Sequence, residues 1–155
     1  MTCDEFLKEC LAQSLIKPEK IGMDQVAKVI ARARQDLQVA EKLLSIDEGH
    51  AYEIAYGAML HAGRAFMFTK GFRPTTNFQH KTVVAFAACF LGEAYKTLTQ
   101  RFDYMRKNRN NFIYEPWKFH VSLTDAQGAF KAAQEFVALI MQEIKKEHPQ
   151  KELPF

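Results

Sequence analysis

The chain has 155 residues, 48% of them hydrophobic and 25% charged, with a formal net charge of +3. This balance is that of one globular domain large enough to bury a core, and it excludes a disordered chain. So small a positive surplus also falls far short of a dedicated nucleic-acid binder, which leaves the local placement of charge to point to a function.

The main breaks in the sequence fall at Pro18, Gly22, Gly49, Gly71, Pro74, Pro116 and Pro149, and between them apolar residues recur at helical spacing. A short first helix is predicted over Asp4 to Leu15, with Phe6, Cys10 and Leu11 on one side. The second runs from Asp24 to Ser45, where Val26, Val29, Ile30, Ala33, Leu37, Ala40 and Leu44 line one face. After an Asp47-Glu48-Gly49 turn a third helix extends to Lys70, and its stripe of Ala51, Ala55, Ala58, Ala62 and Ala65 lets another helix approach closely. Gly71 suits the C-terminal cap of that helix, and Pro74 stops the helix from resuming at once.

A fourth helical stretch is predicted from Phe78 to Tyr114, bent or broken near Leu91-Gly92 and closed where Pro116 biases Glu115 away from helix. Thr124 with Gln127 fits a capping box for the last helix, whose buried seam is Phe130, Ala133, Val137, Ile140 and Ile144. No run of β-branched residues alternates with polar ones, so no strands are predicted. The expected fold is all-α. An antiparallel up-and-down four-helix bundle occupies residues 23–148, a short additional N-terminal helix lies in an appendage over residues 1–22, and the whole of 1–155 is one domain.

Cys3, Cys10 and Cys89 are odd in number and form no Cys-x-x-Cys pair, so neither a disulfide framework nor a zinc site is expected and a reducing cytoplasm is the simplest home. The start, Met1-Thr2-Cys3-Asp4-Glu5, is acidic and has no signal-peptide character, and no apolar run is long enough to span a membrane. His50, His120 and His148 lack metal-ligand spacing, and neither a phosphate-cradling glycine loop nor a serine nucleophile elbow occurs. No metal and no cofactor is therefore expected.

The sharpest polar feature is the run Arg106-Lys107-Asn108-Arg109-Asn110-Asn111-Phe112-Ile113-Tyr114. On a continuous helix Arg106, Arg109, Asn110 and Tyr114 share one broad face. Two guanidiniums, an amide and a phenol can hold a phosphate and stack on or hydrogen-bond to a base. The alternative is a helix end whose cations complement the macrodipole. His61 and Arg64, with Tyr56 five residues before His61, form a second polar lining on the third helix, although a lone His among Ala and Met is more often a core or boundary residue. His80-Lys81 reads as a helix start rather than a site.

Several segments together resemble HEPN domains, the "higher eukaryotes and prokaryotes nucleotide-binding" helical superfamily. They are Ala40-Glu41-Lys42-Leu43-Leu44, the run from Ala51-Tyr52 through Tyr56-Gly57-Ala58-Met59-Leu60-His61-Ala62-Gly63-Arg64-Ala65, Lys70-Gly71-Phe72, His80-Lys81-Thr82-Val83-Val84, and Arg106 to Tyr114. The resemblance spans residues 24–147. It implies a four- or five-helix up-and-down bundle, commonly a homodimer, and in many members a metal-independent endoribonuclease. Several of these are toxins paired with a small nucleotidyltransferase-type protein, while other members have lost catalysis and serve as binding modules. The implied catalytic signature is an Arg, a polar residue and then a His. Arg109-Asn110 match its first part, but the His position falls on Tyr114. RNA cleavage without metal needs a base for the 2′-hydroxyl and positive charge on the phosphorane. Arg109, with Arg106, supplies the charge, whereas a phenol of pKa about 10 is a poor base at neutral pH.

Three readings follow. The leading one is a helical module that binds a nucleotide, RNA or a protein partner through Arg106, Arg109, Asn110, Tyr114, His61 and Arg64, without full ribonuclease chemistry. The second is a divergent ribonuclease, the toxin beside a nucleotidyltransferase, with Arg109, Asn110 and Tyr114 as catalytic candidates. The third is a structural oligomerisation bundle.

Overall fold

A computed structural model describes residues 1–155. In chain order the elements are α1 (Cys3–Ala12), β1 (Ile16–Pro18), α2 (Met23–Leu43), α3 (Glu48–Thr69), β2 (Phe72–Pro74), α4 (Gln79–Leu91), α5 (Lys96–Tyr114) and α6 (Leu123–Glu147), with a short 3-10 turn over Glu93–Tyr95. The fold is all-α apart from one two-stranded pair. No helix is long and apolar enough to cross a membrane.

Helix α3 is the axis of the structure. Its alanine stripe, Ala51, Ala55, Ala58, Ala62 and Ala65, is wholly buried, as are Tyr52, Tyr56, Met59, Phe66 and Met67 on its other faces. Asp47 caps its start by accepting from the His50 amide at 2.9 Å, and Gly71, at φ +85°, takes the left-handed turn after its end. The directions of the neighbours follow from their contacts. Lys70, just past the end of α3, pairs with Glu147 at the end of α6, so these two helices run the same way. Tyr52 packs edge-on against Phe112, while Gly63, three turns further along α3, lies beside Phe102, so α5 runs against α3. The short α2–α3 turn sets α2 against α3 as well. Helices α2, α3, α5 and α6 thus form the up-and-down bundle.

Helix α4 fills the return from α3 to α5. The expected break in the fourth helical stretch is a full reversal: the α4 cap at Gly92 has φ +78°, a conformation that favours glycine, and α5 folds back along α4. Helix α4 also packs unusually close to α3. A Cβ built on Gly63 lies 2.5 Å from Val83 Cγ1.

Three local expectations are corrected. Ile16, Lys17 and Pro18 pair antiparallel with Pro74, Arg73 and Phe72, although no strands are predicted. Three residues are too few to show alternation, and the pairing is fixed by burial of Ile16 and by a separate hydrogen bond from the Glu19 amide to Gly71. Helix α1 stops at Ala12, before the predicted Leu15, because Ser14 adopts φ +56°; Phe6 packs on the core and Cys10 is buried, but Leu11, one position further round, stays 39% exposed. The box that opens α6 is Ser122 with Asp125, not Thr124 with Gln127. Ser122 Oγ accepts from the Asp125 amide at 3.0 Å and Asp125 Oδ2 accepts from the Ser122 amide at 3.1 Å. A carboxylate in the first turn gains from the helix dipole, which an amide at Gln127 does not.

Candidate functional site

The polar residues of α3 divide between two places. Arg64 and Tyr56 face α4 and α5, whereas His61 turns toward α2. There His61 Nδ1 lies 2.8 Å from Asp36 Oδ2, and Asp36 Oδ1 accepts from Arg32 Nε and Nη2 at 2.9 and 2.7 Å. Asp36 is 4% exposed, so these two partners satisfy a carboxylate that would otherwise be costly to bury. His61 is thus placed away from the cluster it was grouped with in the sequence.

The other place is a cluster where α3, α4 and α5 meet. Tyr56 is 1% exposed, and its hydroxyl lies 3.0 Å from Nδ1 of His80, in the first turn of α4. The Arg109 guanidinium stands 6.0 Å from the centre of the Tyr56 ring. Its Nη1 donates to Asn110 Oδ1 at 3.2 Å, and its Nη2 lies 3.6 Å from Glu53 Oε1. Arg106 Nε donates to Asp103 Oδ1 at 2.9 Å. Arg64 Nη2 donates to the Gln79 side-chain oxygen. The Nε atoms of both Arg64 and Arg109 are shut off from solvent without a hydrogen-bond partner.

The charges set the protonation states. Burial raises the Tyr56 pKa far above that of a free phenol, with Arg109, Arg106 and Arg64 opposing it, so the phenol keeps its proton. Burial lowers the His80 pKa, and Arg109, Arg64 and Arg106 lower it further, so the ring is neutral at neutral pH. Tyr56 has one proton to give and no other hydrogen-bond partner. The arrangement that satisfies this proton has the phenol donate to His80 Nδ1, which assigns the imidazole proton to Nε2.

Arg106, Arg109, Asn110 and Arg64 are therefore brought together or near one another, while Tyr114, at the last turn of α5, is 72% exposed and its hydroxyl makes no hydrogen bond. His80, read in the sequence as a helix start rather than a site, and Glu53, which the sequence did not single out, complete the cluster. His80 looks like an ordinary helix start, and only the fold places it 3.0 Å from a tyrosine 24 residues earlier. No group of three or more His, Cys, Asp or Glu side chains is placed to hold a metal ion.

The family model described as HEPN domain matches residues 26–145, and the chain belongs to that family. Comparison with curated proteins and with solved structures gives no match. The matched span runs from α2 into the last turn of α6 and leaves α1 and β1 outside it.

Proposed function

We propose that the chain is a HEPN module that binds a nucleotide or RNA through Arg64, Arg106 and Arg109 and lacks full ribonuclease chemistry. The observation that carries this reading is the convergence of three guanidiniums on Tyr56 and His80, two of them with an unpartnered buried Nε. Guanidiniums present flat forks that match phosphate oxygens, and the partly dehydrated setting strengthens each contact. His80, with its proton on Nε2, adds a neutral donor to an anion. In that form it has no free lone pair to accept a proton from a 2′-hydroxyl, which favours binding over cleavage.

The second reading, a divergent metal-independent endoribonuclease acting as the toxin beside a nucleotidyltransferase, is favoured by the same His80. A histidine stands among the arginines even though the motif position holds Tyr114. Catalysis would require the opposite tautomer, with Tyr56 accepting from Nδ1–H and its own buried hydroxyl proton left without a partner.

One experiment separates the readings: binding and cleavage of a labelled structured RNA in excess EDTA, for the parent and for folded Arg109→Ala, His80→Ala and Tyr114→Phe variants. Binding without cleavage is expected, weakened by about tenfold in Arg109→Ala and unchanged in Tyr114→Phe. Cleavage that disappears in Arg109→Ala and His80→Ala would establish the ribonuclease. No binding to RNA or nucleotide, with Arg109→Ala only lowering the melting temperature, would leave the structural bundle. We extend the proposal to a homodimer formed at the α5 end, where Tyr114 and Trp117 are 72% and 75% exposed; sedimentation of the parent against a Trp117→Glu variant tests it.

A further inference from the structure

We infer that the cleft between the β1–β2 pair and the start of α4 is a second anion pocket, shaped to take one phosphate group. The cleft measures about 420 Å³ and is walled by Lys17, Arg64, Arg73, Thr76 and Gln79, with Phe68 as its one large apolar side chain. Three of these walls are cations drawn from three separate elements.

The arrangement carries more positive charge than its one acidic neighbour offsets. Lys17 and Arg73 are direct cross-strand partners, so their side chains leave the same face of the pair side by side. Like charges so placed destabilise a sheet. Arg73 also reaches Arg64 electrostatically: burial lowers the Arg64 pKa, Tyr56 opposes this, and the Arg73 charge adds a smaller lowering. One carboxylate answers the three cations, Glu19, whose Oε2 accepts from Arg73 Nη1 at 2.9 Å. That pair is half-exposed and exchangeable, since Arg73 and Glu19 side chains are 44% and 37% exposed.

Arg64 is held in place for the task. Its Nη2 is tied to Gln79, its Nε is buried without a partner, and no acidic residue pairs with it. The start of α4 adds donors of its own. Gln79 is the first residue of a 13-residue helix whose N-cap, Phe78, makes no side-chain capping bond, so first-turn amides stand unanswered beside the cleft. Thr76 contributes an exposed hydroxyl. Fixed guanidinium, mobile ammonium, hydroxyl and free amides together suit a tetrahedral oxyanion better than a planar carboxylate.

Lys17 lies outside residues 26–145, so the pocket is made jointly by the HEPN bundle and the segment that precedes it. Arg64 is shared between this pocket and the Tyr56–His80 cluster. The inference does not depend on RNA binding at Arg106 and Arg109, because the pocket's other walls are its own.

The test is a titration of the isotope-labelled full chain with inorganic phosphate at constant ionic strength, followed by amide NMR. Saturable shifts are expected at Arg73, Thr76, Gln79 and Lys81, with the apparent Kd weakened about tenfold or more in the Lys17→Ser/Arg73→Ser double variant. Absence of saturable shifts there in the parent would overturn the pocket, whatever the variant does. Equal affinity in the parent and a folded double variant would overturn it too. Two further arms identify the source of the phosphate. A 5′-mononucleotide that matches inorganic phosphate marks a pocket for a single phosphate group. A short RNA that binds tighter and loses affinity more steeply with salt marks a strand running on from Arg109. Loss of RNA binding in Arg109→Ala with the phosphate shifts at residues 73–81 intact separates failure at one site from failure at the other.

Discussion

Gly57 and Gly63 lie on the same helix, and replacing each with alanine should move stability in opposite directions. Helix propensity alone favours alanine over glycine by about 0.8–1 kcal/mol at either position. A Cβ at Gly57 meets nothing within 4 Å. The whole gain is then realised, which for a chain of this size raises Tm by about 2–4 °C. A Cβ at Gly63 would sit 2.5 Å from Val83 Cγ1, with Phe102 Cε2 at 3.7 Å. Carbon atoms prefer about 3.5–4.0 Å, so roughly 1 Å of overlap must be relieved. Val83 cannot swing away, since a helical valine holds one rotamer about 90% of the time and this one is fully buried. The α3 and α4 backbones must separate instead. Overpacking of this kind costs about 1–3 kcal/mol, and the stiff neighbour puts Gly63→Ala near the upper end. After the propensity gain the net loss is about 2 kcal/mol, or a Tm lower by about 4–8 °C. Thermal and urea unfolding of the two variants beside the parent measures both signs. A Gly63→Ala protein as stable as the parent would refute the close approach of α3 and α4.

Two further outcomes are expected. The folded pKa of His80 lies below its ordinary value, first through burial and then through Arg109, Arg64 and Arg106, so the unfolded chain takes up this proton first as pH falls. Stability is lost through this residue from about pH 6.5 downward, and His80→Gln should flatten that part of a pH series of urea melts; parallel profiles would show that the ring is not held neutral. Ser122→Ala should cost about 1 kcal/mol while Thr124→Ala stays within about 0.5 kcal/mol, and equal losses would contradict the Ser122–Asp125 box.

Much of the bundle was legible because helix formation leaves a local imprint. The alanine stripe of α3, and Val26, Ile30, Ala33 and Ala40 on α2, are buried where the period of three and four puts them. Where the reading missed, the deciding contact lay elsewhere in the chain. Leu37 packs on the core as expected, but Asp36 beside it is 4% exposed, which the apolar pattern does not foretell. A carboxylate reads as solvent-facing until its partners are known, and His61 comes from the next helix. The Ile16–Pro18 strand exists through residues more than fifty positions away. Within the candidate cluster, Arg106, Arg109 and Asn110 could be singled out in the sequence, since they are spaced along a single helix. His80 was not, because its meeting with Tyr56 depends on how α4 lies across α3.

The turn at Gly92 has a consequence for how this site came together. Were residues 79–114 one straight helix, His80 and Arg109 would stand about 40 Å apart, at a rise of 1.5 Å per residue. The reversal brings them close enough for the Arg109 charge to act on the imidazole. The imidazole and the guanidinium are neighbours only because Gly92 and the short turn after it fold the ribbon on itself like a closed pair of tweezers. A change of backbone angle at that turn would part the imidazole from the guanidinium without altering either residue.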